Sequence, residues 1–227
     1  MDQPDCVEVT TGSNPVGAVV WLHGLGADGH DFEPVVPELR LPDSLPLRFV
    51  FPHAPVRPVT LNGGMAMRAW YDIYSLDRTA PQDEVGIRES AATLTALVER
   101  EHERGIPYER IVVAGFSQGG AIAMHMALRF AQPLAGLLAL STWMPMAEQL
   151  EADLQEAPTK QSANLPVFLA HGSFDPMLPV AMGYESRKRL EALSFTVDWH
   201  EYPMMHSVCA EEIEDISRWL KSVFDAA

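Results

Sequence analysis

Apolar residues in this chain gather into short continuous runs at 18–22, 47–51, 110–114, 134–140 and 167–170, bounded by Gly, Pro or His. Runs of this length predict strands buried on both faces of a parallel sheet, because a strand with one wet face would alternate. The run 195–202 does alternate. Phe195, Val197 and Trp199 fall on one side and Thr196, Asp198 and His200 on the other, which predicts a strand nearer the sheet edge. Between the runs the apolar period becomes helical. Ile87, Ala91, Leu94 and Val98 make one stripe in 87–102, and Ile213, Ile216, Leu220 and Val223 make another in 210–224. Segments 118–130 and 180–193 also read as helices. Such alternation predicts a single α/β domain over 1–227, with right-handed crossovers. Two stretches depart from it. Residues 52–75, with prolines, Asn62-Gly63-Gly64 and the aromatics Trp70, Tyr71 and Tyr74, read as a long ordered loop over the sheet edge. Residues 141–166 hold only one short helical stretch, too little for a capping domain.

Composition narrows the function classes. At 227 residues, 47% hydrophobic and 21% charged, the chain suits one ordinary globular core. Its net charge of −15 argues against a nucleic-acid partner and against docking on an anionic membrane, since both need clustered Lys and Arg. Cys6 and Cys209 show no metal-ligand spacing, the first residues lack a secretory pattern, and no apolar run approaches the ~18 residues that span a bilayer. The expectation is a cytoplasmic protein without a metal and without stable membrane insertion.

The chemistry-bearing stretch is Gly115-Phe116-Ser117-Gln118-Gly119-Gly120, set between an apolar run and a helical pattern. This G-x-S-x-G places a serine on a sharp strand-to-helix turn, where small neighbours let the backbone reverse. Ser117 is therefore the expected nucleophile, exposed beside a helix N-terminus whose free N–H groups favour developing negative charge. In the same arrangement an acid and then a histidine follow along the chain. Only His200 and His206 lie far enough along. His200 falls inside the alternating strand, whereas His206 falls in the loop after it and can reach the edge. Asp175 falls just past the run 167–170, in His171-Gly172-Ser173-Phe174-Asp175, and is expected to hold one ring nitrogen of His206. His171 reads as a structural histidine bonding the loop backbone.

Gly24, Gly26 and Gly29 form a literal G-x-G-x-x-G after the first run. A dinucleotide site would also need a carboxylate closing the second strand, and Phe49-Val50-Phe51-Pro52-His53 has none. The same loop suits acyl chemistry, with backbone N–H groups of Leu25 and Gln118 as oxyanion donors.

Taken in order, His23-Gly24-Leu25-Gly26-Ala27-Asp28-Gly29, Phe51-Pro52-His53-Ala54-Pro55, Ala69-Trp70-Tyr71-Asp72, the serine motif, His171-Gly172 with Asp175-Pro176, and His206-Ser207 resemble the carboxylesterase and acyl-protein thioesterase family of small α/β-hydrolases. The resemblance covers almost the whole chain. It implies an α/β-hydrolase fold, a mostly parallel sheet with helices on both faces and no large cap. It further implies cofactor-free hydrolysis of carboxylic esters or thioesters, of small molecules or of an acylated protein, often by a homodimer. By the same resemblance Leu25, Trp70, Met177 and Leu178 line the acyl site. Where the family usually has glycine before the histidine, this chain has Met205, which would be strained if that position required a positive φ. A silent binding module on the same fold, and a lactonase or peptidase using the same three side chains, are compatible with the motifs.

Overall fold

The computed structural model describes residues 4–75, 80–156 and 165–225. Nine strands and six α-helices follow in the order β1 (Cys6–Thr10), β2 (Gly17–Leu22), α1 (Val35–Glu38), β3 (Leu47–Pro52), β4 (Val56–Val59), β5 (Met65–Arg68), α2 (Glu84–Glu103), β6 (Ile111–Phe116), α3 (Gln118–Ala127), β7 (Gly136–Leu140), α4 (Ala147–Glu156), β8 (Val167–Gly172), α5 (Val180–Ala192), β9 (Val197–Tyr202) and α6 (Ala210–Asp225). Seven strands form one sheet in the order β1-β3-β2-β6-β7-β8-β9, and only β1 runs antiparallel to its neighbour.

The continuous apolar runs are buried on both faces, as their pattern requires. Along β2, Ala18, Val20 and Leu22 join a core with α2, α3 and α5, whereas Val19 and Trp21 face the opposite core with α1 and α6. The predicted helical stripes bury Ile87, Ala91, Leu94 and Val98 of α2 and Ile216, Leu220 and Val223 of α6. Each such aliphatic side chain removed from water contributes about 1.5–3 kcal/mol. The alternating run becomes β9, at the sheet edge.

Two elements escape the apolar pattern. β1 is a half-buried edge strand that pairs with β3, packs Val7 and Val9 on the core and is tied down by ions: Glu8 pairs with Arg104, just after α2, at 2.9 Å and with Arg100 of α2 at 3.2 Å. Behind them Glu101 of α2 is fully buried and paired with Arg48 of β3 at 2.7 Å and Arg104 at 2.9 Å. The stretch 52–75 is a hairpin rather than a loop, with β4 and β5 joined through a turn in which Gly63 and Gly64 have φ of 67° and 80°. It buries few side chains, so its strands left no periodic trace. The helical stretch expected between 141 and 166 is α4, and residues 157–164 of that segment lie outside those described.

The parallel register sets the five carboxyl ends of β2, β6, β7, β8 and β9 side by side, pairing Leu22 with Gly115, Phe116 with Leu140, and Gly172 with Tyr202. The loops that leave this edge carry all the chemistry.

One buried charge lacks the partners that Glu101 has. Glu212 of α6 is fully buried, and among the described residues its carboxyl oxygens have no partner in hydrogen-bond geometry. Burial pushes its pKa from 4.5 up to about 8, and the nearby Cys209 N–H offsets little of that. A carboxyl with a raised folded pKa stabilises most at low pH, and that contribution is lost as pH rises through about 8. Glu212→Gln removes the titration. Its melting temperature should exceed the wild type's by about 4 °C or more at pH 8, with the gap shrinking toward pH 5. A gap independent of pH in thermal melts would contradict this account.

Candidate active site

Ser117 sits between β6 and α3 with φ 54° and ψ −121°, a conformation that costs an L-residue about 1–3 kcal/mol. Packing holds it there. A methyl group on Gly115 would lie 2.4 Å from the Gly119 carbonyl, and one on Gly119 would lie 2.5 Å from the carbonyl oxygens of Leu22 and His23. The Ser117 N–H donates to the Leu140 carbonyl at 2.9 Å, and Thr142 Oγ1 donates to the Ser117 carbonyl at 2.7 Å. The side chain is thereby left pointing out of the edge, half-buried.

The structure brings the three predicted side chains together. His206 Nδ1 lies 2.6 Å from Asp175 Oδ2, and His206 Nε2 lies 2.9 Å from Ser117 Oγ. A carboxylate only accepts, so Nδ1 carries the proton and Nε2 is free to accept from the serine hydroxyl. Asp175 is itself fixed, because its Oδ1 accepts the N–H groups of Met177 at 2.9 Å and Leu178 at 2.8 Å. His171 bonds the Leu178 carbonyl through Nε2 at 2.8 Å, and burial lowers its pKa, so it stays neutral beneath the Asp175 turn. His200 stays on β9, stacked on Phe168 at 4.6 Å, away from this group. Met205 precedes His206 without a positive φ, so methionine is unstrained there.

The loop after β2 closes on the Ser117 turn through Gly24 and through the carbonyls of Leu22 and His23, which face Gly119. Gly24 packs beside the serine, where a methyl group would stand 3.5 Å from Ser117 Cβ. Among the described residues, neither the Leu25 nor the Gln118 backbone N–H has an acceptor. Three residues, His23, Gln118 and Gly26, brace this corner through hydrogen bonds that sequence reasoning missed. His23 accepts the Ala54 N–H on Nε2 at 3.0 Å and donates from Nδ1 to the Gly24 carbonyl at 2.7 Å. Gln118 accepts the Trp70 N–H at 2.9 Å and donates from Nε2 to the Tyr71 carbonyl at 2.7 Å. Gly26 N–H donates to the Arg68 carbonyl at 2.9 Å, tying hairpin to loop. A glutamine directly after Ser117, on a helix otherwise apolar but for His125, was the available signal, since a buried amide must find partners.

The residues expected to line an acyl site separate. Trp70 is a buried strut whose indole N–H donates to the His23 carbonyl at 2.9 Å. Met177 is exposed on the surface. Leu178 lines a cavity of about 590 Å³ together with Tyr71, Trp143, Met144, Met182 and the half-exposed Arg189. Ser117 and His206 are not among the cavity's lining residues; its wall is tied to them by the Leu178 N–H on Asp175 and by the Tyr71 carbonyl, which accepts from Gln118. Among the described residues no three His, Cys, Asp or Glu side chains converge as a metal site requires.

The fold is that of the α/β-hydrolases. The family model described as Phospholipase/Carboxylesterase matches residues 4–224. Acyl-protein thioesterase 1 of Mycosarcoma maydis is 39% identical, with 95% of each chain covered. Acyl-protein thioesterase 1 of Neurospora crassa is 38% identical over 89% of this chain and 84% of its own. The crystal structure of Zea mays acyl-protein thioesterase 2 superposes with a TM-score of 0.86 at 30% identity, covering 97% of this chain and 99% of that one. Arabidopsis thaliana SOBER1 gives 0.84 at 28%, covering 92% and 99%. The chain belongs to the phospholipase/carboxylesterase family and is a hydrolase of the esterase and thioesterase class.

Gly172 offers a test of how tightly the histidine loop is located. A methyl group there would lie 2.5 Å from the carbonyl oxygens of Met204 and Met205. Gly172→Ala must displace the segment that carries His206, and misplacement by about 1 Å costs on the order of 100-fold in rate. We expect that loss in kcat/KM toward an activated ester with the circular dichroism spectrum kept. Full activity would show that the loop adapts.

Proposed function

We propose that this chain hydrolyses carboxylic esters and acyl thioesters through an acyl-enzyme on Ser117, with His206 as base and Asp175 as its orienting partner. The observation that carries the reading is the unbroken pair of contacts, 2.9 Å from Ser117 Oγ to His206 and 2.6 Å from His206 to Asp175. As Ser117 Oγ attacks the acyl carbon, its proton passes to His206 Nε2, and the imidazolium is stabilised by the Asp175 carboxylate. The carbonyl oxygen gains negative charge and accepts from the Leu25 and Gln118 N–H groups, each such donor contributing about 3 kcal/mol. His206 then gives its proton to the departing alkoxide or thiolate. Water, deprotonated by the same nitrogen, attacks the acyl-serine and releases the acid.

The cavity walled by Leu178, Trp143 and Tyr71, of which Leu178 bonds Asp175 and Tyr71 bonds Gln118, suits the acyl chain. The names of the relatives favour a thioester on a protein as one substrate. Phe174, Met177 and Met205 support that choice, because they expose apolar surface on the loops carrying Asp175 and His206, where a lipid-bearing partner would approach. Cys6 and Cys209 are free thiols, in keeping with a cytoplasmic site of action.

Ser117→Ala should abolish both hydrolysis of a short-chain aryl ester and labelling by a fluorophosphonate. Asp175→Asn should lower kcat by about 10⁴-fold, because the amide favours the wrong histidine tautomer. Turnover that survives in the serine variant, measured on protein free of contaminating esterase, would refute the assignment.

A further inference from the structure

His23 follows β2 directly, and its ring is buried. Its protonation is fixed by what it touches. The Ala54 N–H donates to Nε2 at 3.0 Å, so Nε2 carries no proton. Burial foremost holds the ring below the ordinary histidine pKa, so it is neutral and its one proton sits on Nδ1. From there it donates to the Gly24 carbonyl at 2.7 Å.

The ring itself has little freedom. Trp70 lies against it with centroids 5.2 Å apart, and the Trp70 indole N–H donates to the His23 carbonyl at 2.9 Å. Ala54 is held in turn, because Arg68 donates to its carbonyl at 2.8 Å.

The Gly24 carbonyl and the Leu25 N–H belong to one peptide group. Among the described residues no peptide bond is cis, so the two point in opposite directions across a rigid plane. With the carbonyl held against the His23 ring, the Leu25 N–H must point away from that ring. It finds no acceptor among the described residues. Gly24 packs on the Ser117 turn, where a methyl group would stand 3.5 Å from Ser117 Cβ and 3.2 Å from the Phe116 ring. Glycines on both sides of Leu25 leave the backbone able to adopt several conformations, so the sequence of the loop does not by itself select this one. Besides His23, the Gly24 carbonyl is reached only by the Ala27 N–H, at 3.3 Å.

We infer that His23 is a positioning residue for ester hydrolysis: by holding the Gly24 carbonyl it turns the Leu25 N–H toward the place where the substrate's carbonyl oxygen gains charge at Ser117. The inference rests on the serine-esterase reading above and deepens it by naming what aims one of the two oxyanion donors. A donor aimed beforehand needs no reorganisation as charge develops, and loss of one such donor lowers kcat about 100- to 1000-fold.

Two substitutions separate the two bonds of the ring. In His23→Asn the side-chain nitrogen takes the place of Nδ1 and keeps the donor to Gly24, while the Ala54 N–H loses its acceptor. In His23→Gln the side-chain oxygen takes the place of Nε2 and keeps the Ala54 bond, while the Gly24 carbonyl loses its donor. With 4-nitrophenyl octanoate, kcat should fall about tenfold or more in His23→Gln with KM little changed, and should stay near the wild-type value in His23→Asn, whatever the two melting temperatures. The inhibition constant of an alkyl trifluoromethyl ketone, which forms an oxyanion on the serine, should rise in His23→Gln by the factor that kcat/KM loses. Equal losses in both variants, or a loss confined to KM, would overturn the inference and leave the esterase reading standing. A measurement on labelled wild type needs no substitution: the Leu25 amide proton should move downfield in the nuclear magnetic resonance spectrum when the ketone binds, and an unmoved signal would also overturn the inference. Hydrolysis of no ester by the wild type would defeat the esterase reading, and the inference with it.

Discussion

At Gly119 the first turn of α3 passes so near the end of β2 that a single methyl group would strike two carbonyl oxygens at 2.5 Å. That close approach governs the geometry of the whole edge. It lets the chain reverse at Ser117 in a backbone conformation the residue would otherwise avoid, and it brings the Gln118 N–H beside the Leu25 loop. Because β2 and β6 are adjacent and parallel, the same contact couples the Ser117 turn to the loop that follows β2 without any intervening side chain. The backbone thus fixes what the side chains exploit.

The remaining elements add orientation to that backbone frame. Asp175 spends one carboxyl oxygen on two loop amides and keeps the other for His206, so the imidazole has one stable placement. His171 stays neutral beneath it because burial opposes its charge. On the opposite side the Gln118 side-chain amide grips the Trp70–Tyr71 backbone. Movement of the cavity wall is therefore linked to the residue next to Ser117.

Much of the sheet could be read from sequence because a strand buried on both faces has only one way to appear, as an unbroken apolar run. Helices α2 and α6 were legible through their stripes for the same reason. Ser117, Asp175 and His206 could be selected because each follows a legible strand at the same edge. β1 and the β4–β5 hairpin were hidden: the first is held by Glu8 and its arginines, and the second by local pairing. Of the residues expected at the acyl site only Leu178 is in the cavity wall, and Leu25, Trp70 and Met177 are not. Neighbouring residues on an extended segment face opposite ways, and the pattern alone did not say that Trp70 turns inward as a strut while Tyr71 meets the cavity. Gln118 was legible as an amide donor but not as a clamp, since its partners lie 47 and 48 residues away.

The hairpin carries a last implication. Its tip, at Gly63 and Gly64, has no atom within 4 Å of where a side chain would begin, and of β4 and β5 only Val59 is buried. Yet Arg68, at its base, anchors Gly26 in the loop that presents Leu25. A protease nicking the tip would leave the seven-stranded sheet intact while slackening the hold on the Leu25 loop. Such a cleaved molecule would stay folded, and its damage would show in turnover before it showed in any measure of compactness.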